Sequence, residues 1–185
     1  ALGWEQNFVI LCNRTWAPIY GVDVLARAFV GAVEENDDLR LLLIGDGPLS
    51  EEIHNILEPI RSRVSLPGWV DRESLPGAYC AADLFISPSH CDGSSISLLE
   101  ALACGRPVLV SDIPSNQEWV TPGVVGELFP DGKVEALKEK ILQLAADSRL
   151  EHYGRKARLL AEGSADWQKN FKIMLKGYER AVQEI

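Results

Sequence analysis

Strand-like and helix-like segments alternate along this chain of 185 residues, and that order constrains the fold more than any other feature. Phe8–Cys12 is a short apolar run with β-branched content. Val22, Leu25, Ala26, Phe29, Val30 and Val33 follow at spacings of three and four, the period of a helix. Leu39–Ile44 is apolar almost throughout, as a strand buried on both faces is. Gly45-Asp46-Gly47-Pro48 then turns the chain into a helix predicted over Leu49–Arg61. Val64–Leu66, Leu84–Ser87, Pro107–Ser111 and Gly126–Phe129 read as further strands, with helices over Leu75–Ala82 and Ile96–Cys104 between them. Gly105 supplies a helix stop. Three helical stretches close the chain: Val134–Ala146, Arg149–Glu162 and Asp166–Glu184.

Strands that alternate with helices pair in parallel, through right-handed crossovers that put helices on both faces. The expected fold is therefore α/β: a Rossmann-like doubly wound parallel sheet of about six strands, in three α/β/α layers. No internal repeat or low-complexity linker interrupts the pattern, so residues 1–185 are expected to form one domain, with the helices of 134–185 packed on it. The chain begins at Ala1 and its only methionine is Met174, which predicts a piece of a longer or processed polypeptide.

Charge is unevenly placed. Residues 1–132 hold 19 acidic residues, seven arginines and no lysine, a net charge of −12, whereas 133–185 carry a net +3. An acidic body repels a phosphate backbone at long range, which argues against general nucleic-acid binding. Any phosphate must be held locally, by a few arginines and backbone N–H groups. The cysteines, Cys12, Cys80, Cys91 and Cys104, show no metal-type pairing in sequence. Cys12, Cys80 and Cys104 sit in apolar contexts and are expected to be free and buried, which points to a reducing, cytoplasmic compartment. No apolar run approaches the ~20 residues that span a bilayer.

In doubly wound sheets ligands sit beyond the carboxyl ends of the strands. The loop Pro88–Ser95 has that position and the richest chemistry. Gly93, Ser94 and Ser95 are small residues leading into the Ile96 helix, where free N–H groups and the helix dipole favour an anion. Asp92 and Glu100 lie eight apart on either side of this turn. Two acids flanking a phosphate-binding turn suit a sugar–diphosphate–nucleoside, with Glu100 accepting from a diol. The residue types fit a plainer reading equally well: Ser94 or Ser95 as helix cap, Asp92 in a tight turn and Glu100 in solvent.

The run Pro88-Ser89-His90-Cys91-Asp92-Gly93, followed by Leu99-Glu100-Ala101-Leu102-Ala103-Cys104-Gly105-Arg106-Pro107-Val108, resembles the signature of the donor-binding, C-terminal domain of GT-B glycosyltransferases of retaining family 4 (glycosyl transferases group 1). Gly45-Asp46-Gly47-Pro48, Gly68-Trp69-Val70 and Ala82-Asp83-Leu84 are further matches in the same order, over residues 8–185. The resemblance implies one half of a GT-B fold, with an N-terminal acceptor domain absent from this chain. It implies transfer of a hexose from a UDP-, GDP- or ADP-sugar to an acceptor hydroxyl, with retention and with no cofactor or required metal. The isolated chain would then be inactive. It implies that Glu100 bonds the ribose, Asp92 faces the donor sugar, and Gly93, Ser94, Ser95 and Ile96 carry backbone N–H groups at the diphosphate. Val70 would meet the base with its backbone, and Arg14 would neutralise the diphosphate. Partners so implied are the nucleotide sugar, the absent domain, and an acceptor sugar or lipid-linked glycan, with peripheral membrane association through the absent domain.

Two positions depart from the pattern. Asp92 stands where the family usually has Glu, one methylene longer. Tyr20 precedes Gly21 where the family usually has a phosphate-binding Lys, and a Tyr brings no charge. These departures favour a non-catalytic nucleotide-sugar-binding module as one alternative; a sugar-nucleotide epimerase half-domain is another. Elsewhere, Trp16 either stacks on a base, walls the cleft or packs under the Pro18 turn. His90 reads as a polar loop residue or a sugar contact, and Glu118 as a cap or a donor contact. The acidic run Glu34, Glu35, Asp37 and Asp38 reads as a solvated helix end, since acids on one helix end do not converge on a cation. Trp167, Phe171, Met174, Leu175, Tyr178 and Val182 form one apolar face of the last helix, a core or interface stripe that in part stays exposed.

Overall fold

A computed structural model describes residues 3–183. Six strands form one sheet: β1 (Phe8–Cys12), β2 (Leu39–Ile44), β3 (Val64–Gly68), β4 (Leu84–Ser87), β5 (Val108–Ser111) and β6 (Gly126–Phe129). Their spatial order is β3-β2-β1-β4-β5-β6, and every pair is parallel. The helices are α1 (Val22–Glu35), α2 (Ser50–Leu57), α3 (Leu75–Ala81), α4 (Ile96–Ala103), α5 (Pro114–Gln117), α6 (Val134–Ala145), α7 (Leu150–Ser164) and α8 (Trp167–Gln183). This is the doubly wound, three-layer arrangement that the alternation predicts.

Strand alternation divides the interior in two. Ile10 and Cys12 of β1 face one core with Leu25 and Phe29 of α1, Ile53 of α2 and Ile141 of α6. Val9 and Leu11 face the other, with Tyr79 of α3, Leu98 and Leu102 of α4 and Ala157 of α7. Both faces of β1 are thus apolar and covered, which is why the central strands read as continuous apolar runs. Burying side chains of this size contributes roughly 1.5–3 kcal/mol each, so the two cores anchor everything that emerges from the strand ends.

Three expectations need correction. The helix predicted over Leu49–Arg61 is two pieces: α2 stops at Leu57, and Glu58–Arg63 forms a 3-10 stretch broken at Ile60 (φ −118°, ψ 26°). Pro59 is the cause, because its ring clashes with the carbonyl four residues back and it has no N–H to give. The short helical segments Pro18–Tyr20 and α5 were not anticipated; each begins at a proline, whose fixed φ suits a first turn. The third concerns the C-terminal helices. α6 packs on α1 and α7 on α4, but no side chain of α8 is buried through Val182, so this helix does not pack on the domain as expected. The predicted end of that helix at Glu184 lies outside the described residues. No helix among the described residues is long and apolar enough to cross a membrane.

Candidate functional site

Between β1 and β4 the strand order reverses direction, and the loops leaving their carboxyl ends diverge into a crevice. A cavity of about 370 Å³ lies there, lined by Asn13, Arg14, Thr15 and Tyr20 after β1 and by Asp92, Ser94, Ile96, Ser97 and Glu100 around the start of α4. Five of the anticipated site residues therefore converge: Arg14, Asp92, Ser94, Ile96 and Glu100.

Arg14 organises the centre. Its Nη2 donates to Asp92 Oδ2 at 2.5 Å, and its Nη1 donates to both Ser95 Oγ and Ser97 Oγ at 3.0 Å. The guanidinium lies over the Tyr20 ring, 4.3 Å from its centroid, a distance suited to cation–π attraction. The side chains of Arg14 and Asp92 are only 10% and 17% exposed, so this ion pair is poorly screened by solvent.

Ser95 caps α4, its Oγ accepting from Leu98 N at 3.4 Å. The plain capping reading of the loop is thus correct for Ser95, and it coexists with the cavity. No protein acceptor takes the N–H groups of Ser95, Ile96 or Ser97 among the described residues, as is usual in the first turn of a helix. Gly93 is exposed and its N–H donates to Asp92 Oδ1 at 2.9 Å. Val70 follows β3, packs half-buried on the second core, and does not line the cavity.

Glu100 reaches the cavity from the first turns of α4. Tyr79 donates its hydroxyl to Glu100 Oε2 at 2.9 Å, and Asn13 Nδ2 donates to that hydroxyl at 2.8 Å. Burial first, and then the Glu100 carboxylate, push the Tyr79 pKa far upward. Asn13, Thr15, Ser97 and Tyr79 were not anticipated. Asn13 and Thr15 flank Arg14, so proximity in sequence was a usable signal. Tyr79, in an Ala-rich helix, gave none.

Trp16 is 1% exposed and packs tilted against His54, with ring centroids 5.5 Å apart; its backbone braces Asp46 and Leu49. It is a packing residue beneath the loops and not a stacking surface. His90 pairs with Asp131 at 2.7 Å, and Glu118 is exposed after α5. In the acidic run, Glu35 pairs with Lys138 and Asp37 with Arg63. No group of three or more His, Cys, Asp or Glu able to hold a metal occurs among the described residues. All four cysteines are free, but only Cys12 is buried; Cys104 is half-buried and Cys80 exposed, against expectation. Cys80 follows the buried Tyr79 in α3, about 100° around the helix from it, and is exposed, a facing that the Ala-rich context concealed.

A doubly wound sheet with a polar, arginine-centred cavity at its switch point has the geometry at which α/β domains commonly bind ligands. The chain belongs to the family described as Glycosyl transferases group 1, which matches residues 6–147. It is similar to the phosphatidyl-myo-inositol mannosyltransferase of Mycobacterium leprae, 30% identical over 173 residues, 92% of this chain and 46% of that protein. A GDP-mannose-dependent monoacylated alpha-(1-6)-phosphatidylinositol monomannoside mannosyltransferase of Corynebacterium glutamicum is 27% identical over 168 residues, 86% of this chain and 44% of its own. The chain thus spans less than half the length of these curated relatives. Among solved structures, HepE of Anabaena in complex with UDP superposes with a TM-score of 0.88 at 22% identity, over 97% of this chain and 50% of that one. Sucrose-phosphate synthase of Thermosynechococcus elongatus gives 0.87 at 24% identity, over 98% and 47%. At such identities the likeness establishes a shared fold, a Rossmann-like α/β/α sandwich.

Proposed function

We propose that this chain is the donor-binding half of a retaining glycosyltransferase, which moves a hexose from a nucleotide diphosphate sugar to an acceptor hydroxyl. The observation that carries the reading is the convergence of Arg14, Asp92, Glu100 and the open N-terminus of α4 on one cavity at the switch point. Arg14 and the N–H groups of Ser94, Ser95 and Ile96 receive the diphosphate and stabilise it as it leaves. Glu100 accepts from the ribose diol, Asp92 orients the sugar, and the backbone near Val70 borders the base. A charge-assisted hydrogen bond contributes about 1.5–3 kcal/mol, so a single arginine with a helix terminus suffices for a site in an otherwise acidic body.

The acceptor wall belongs, in this reading, to a further N-terminal domain of the polypeptide. The unpacked apolar stripe of α8, Trp167, Phe171, Met174, Leu175, Tyr178 and Val182, is the surface that would meet it. The acceptor is a sugar or lipid-linked glycan at a cytoplasmic membrane face. That reading draws on the mannosyltransferase relatives, whose names place their acceptors on phosphatidylinositol lipids.

Calorimetry of this chain with UDP, GDP and ADP tests the donor site. Weak binding of at least one is expected, and no binding at millimolar concentration overturns the reading. NMR of the product anomer formed by the full-length protein tests retention, and an unchanged rate in EDTA tests transfer without a metal. Tyr20 in place of a lysine favours a second reading, a binding module without turnover. Turnover assays of the full-length protein and its Asp92→Glu variant separate the two, because a large gain in turnover marks a partly degenerate enzyme, whereas no turnover in either protein marks a binding module.

A further inference from the structure

The two acids of the cavity are held differently. Asp92 is tied to a cation, Arg14. Glu100 has no Arg or Lys within ion-pair distance among the described residues, and its one side-chain partner is a neutral hydroxyl. That hydroxyl belongs to Tyr79, which is 1% exposed and seated against Phe85 of β4 with ring centroids 5.9 Å apart. Its oxygen receives Asn13 Nδ2 at 2.8 Å and lies 2.9 Å from Glu100 Oε2 and 3.2 Å from the Ser97 carbonyl. A phenol has one proton, and the carboxylate is both the nearer and the stronger acceptor, so the proton points at Glu100. Asn13 fills a lone pair of the same oxygen and fixes the direction of the relay.

We infer that Tyr79, oriented by Asn13, is the positioning residue for Glu100: it pins one carboxylate oxygen and presents the other, still unneutralised, to the diol of the bound nucleotide. The inference rests on the donor-site reading above. The chemistry favours a neutral clamp over an ionic one. A lysine or arginine partner would draw away the negative charge that makes a carboxylate a good acceptor for two hydroxyls. A buried phenol holds the side chain still without neutralising it. Glu100 is thereby ordered before the ligand arrives, so less side-chain freedom is lost on binding. A phenol is protonated throughout the neutral range, and burial raises its pKa further, so this hydroxyl is a donor there.

The test is calorimetry of this chain with whichever of UDP, GDP or ADP it binds, alongside the 2′,3′-dideoxy form of the same nucleotide. Wild type is expected to prefer the ribonucleotide. Tyr79→Phe keeps the ring and its packing, and is expected to lose about tenfold of that preference, the size expected for one hydrogen bond to a charged group, while binding the dideoxy form as wild type does. Asn13→Ala is expected to lose a smaller part of the same preference. Glu100→Gln sets the limit of complete loss. Melting curves of each variant accompany the titrations. If Tyr79→Phe keeps the full preference, or weakens both nucleotides equally, the positioning role is overturned and Tyr79 is a core aromatic only. If wild type binds the two forms alike, Glu100 is not the diol acceptor and the inference falls while a diphosphate site stands. If wild type binds no nucleotide, the donor reading and the inference fall together.

Discussion

Arg14 meets partners on three sides: the Asp92 carboxylate, the hydroxyls of Ser95 and Ser97, and the face of Tyr20. The Tyr20 ring supports the Arg14 cation without repelling it. A diphosphate at Arg14 must therefore contend with Asp92. Asp92→Asn is expected to bind the bare nucleoside diphosphate several-fold more tightly, as read by calorimetry; weaker binding would show that Asp92 assists the phosphate. Arg14→Ala is expected to cost about 1.5–3 kcal/mol with the diphosphate and little with the free nucleoside. The cysteines give a second check at this scale. Burial pushes the Cys12 thiol up to about 11, so its thiolate is scarce at pH 8, whereas Cys80 and Cys91 are exposed. Timed alkylation followed by peptide mapping is expected to label Cys80 and Cys91 first, Cys104 slowly, and Cys12 only on unfolding.

Elements meet their neighbours through a few local devices. Gly21 opens α1 at φ 58°, and a Cβ placed there would stand 2.3 Å from the Pro88 carbonyl, at the root of the loop that carries Asp92. Gly21→Ala is expected to cost about 2 kcal/mol of stability and to weaken nucleotide binding by shifting that loop; denaturant melts and calorimetry measure the two effects. Asp147 secures the start of α7, its carboxylate held below the usual range chiefly by hydrogen bonds from the Arg149 side chain and then its backbone N–H. A depressed carboxylate stabilises the fold fully above the unfolded value of about 3.9 and loses that contribution as pH falls through the folded value. Asp147→Asn is expected to lower the melting temperature at pH 7, with the gap to wild type closing below pH 4. The sequence was most legible at this scale. All six strands and the doubly wound order follow from runs such as Leu39–Ile44 and their alternation with amphipathic segments, because burial on two faces writes itself into composition. The Pro88–Ser95 loop was legible for the same local reason. What stayed hidden depends on contacts distant in sequence. Tyr79 reaches Glu100 across 21 positions and Arg14 reaches Asp92 across 78, and no periodicity records either. Pro59 is a helix breaker legible in the sequence, and the helix expected over Leu49–Arg61 runs through it.

Over the whole molecule, the two cores account for every strand and for every helix up to α7 except the short α5, whose buried residue is Asn116, and α8 stands apart. Its apolar stripe faces outward while Lys169, Lys172, Lys176 and Arg180 project from the opposite side at helical spacing. Because no described side chain of α8 is buried, Phe171→Gln with Leu175→Gln is expected to leave the melting temperature unchanged. The same pair should reduce dye binding to exposed apolar surface; a clear fall in melting temperature would show that the helix packs after all.

If the site takes a nucleotide-sugar donor, as proposed, the Arg14–Asp92 ion pair bears on how the reaction cycle ends. A donor that arrives with its sugar offers Asp92 hydroxyls in return for the guanidinium it gives up. Once the sugar has gone, those hydroxyls go with it, and the carboxylate turns back toward Arg14 in competition with the spent diphosphate. The same contact that makes entry an exchange of one anion for another would then hasten product release. Such a site would hold the intact donor longer than the leaving group it is built to stabilise.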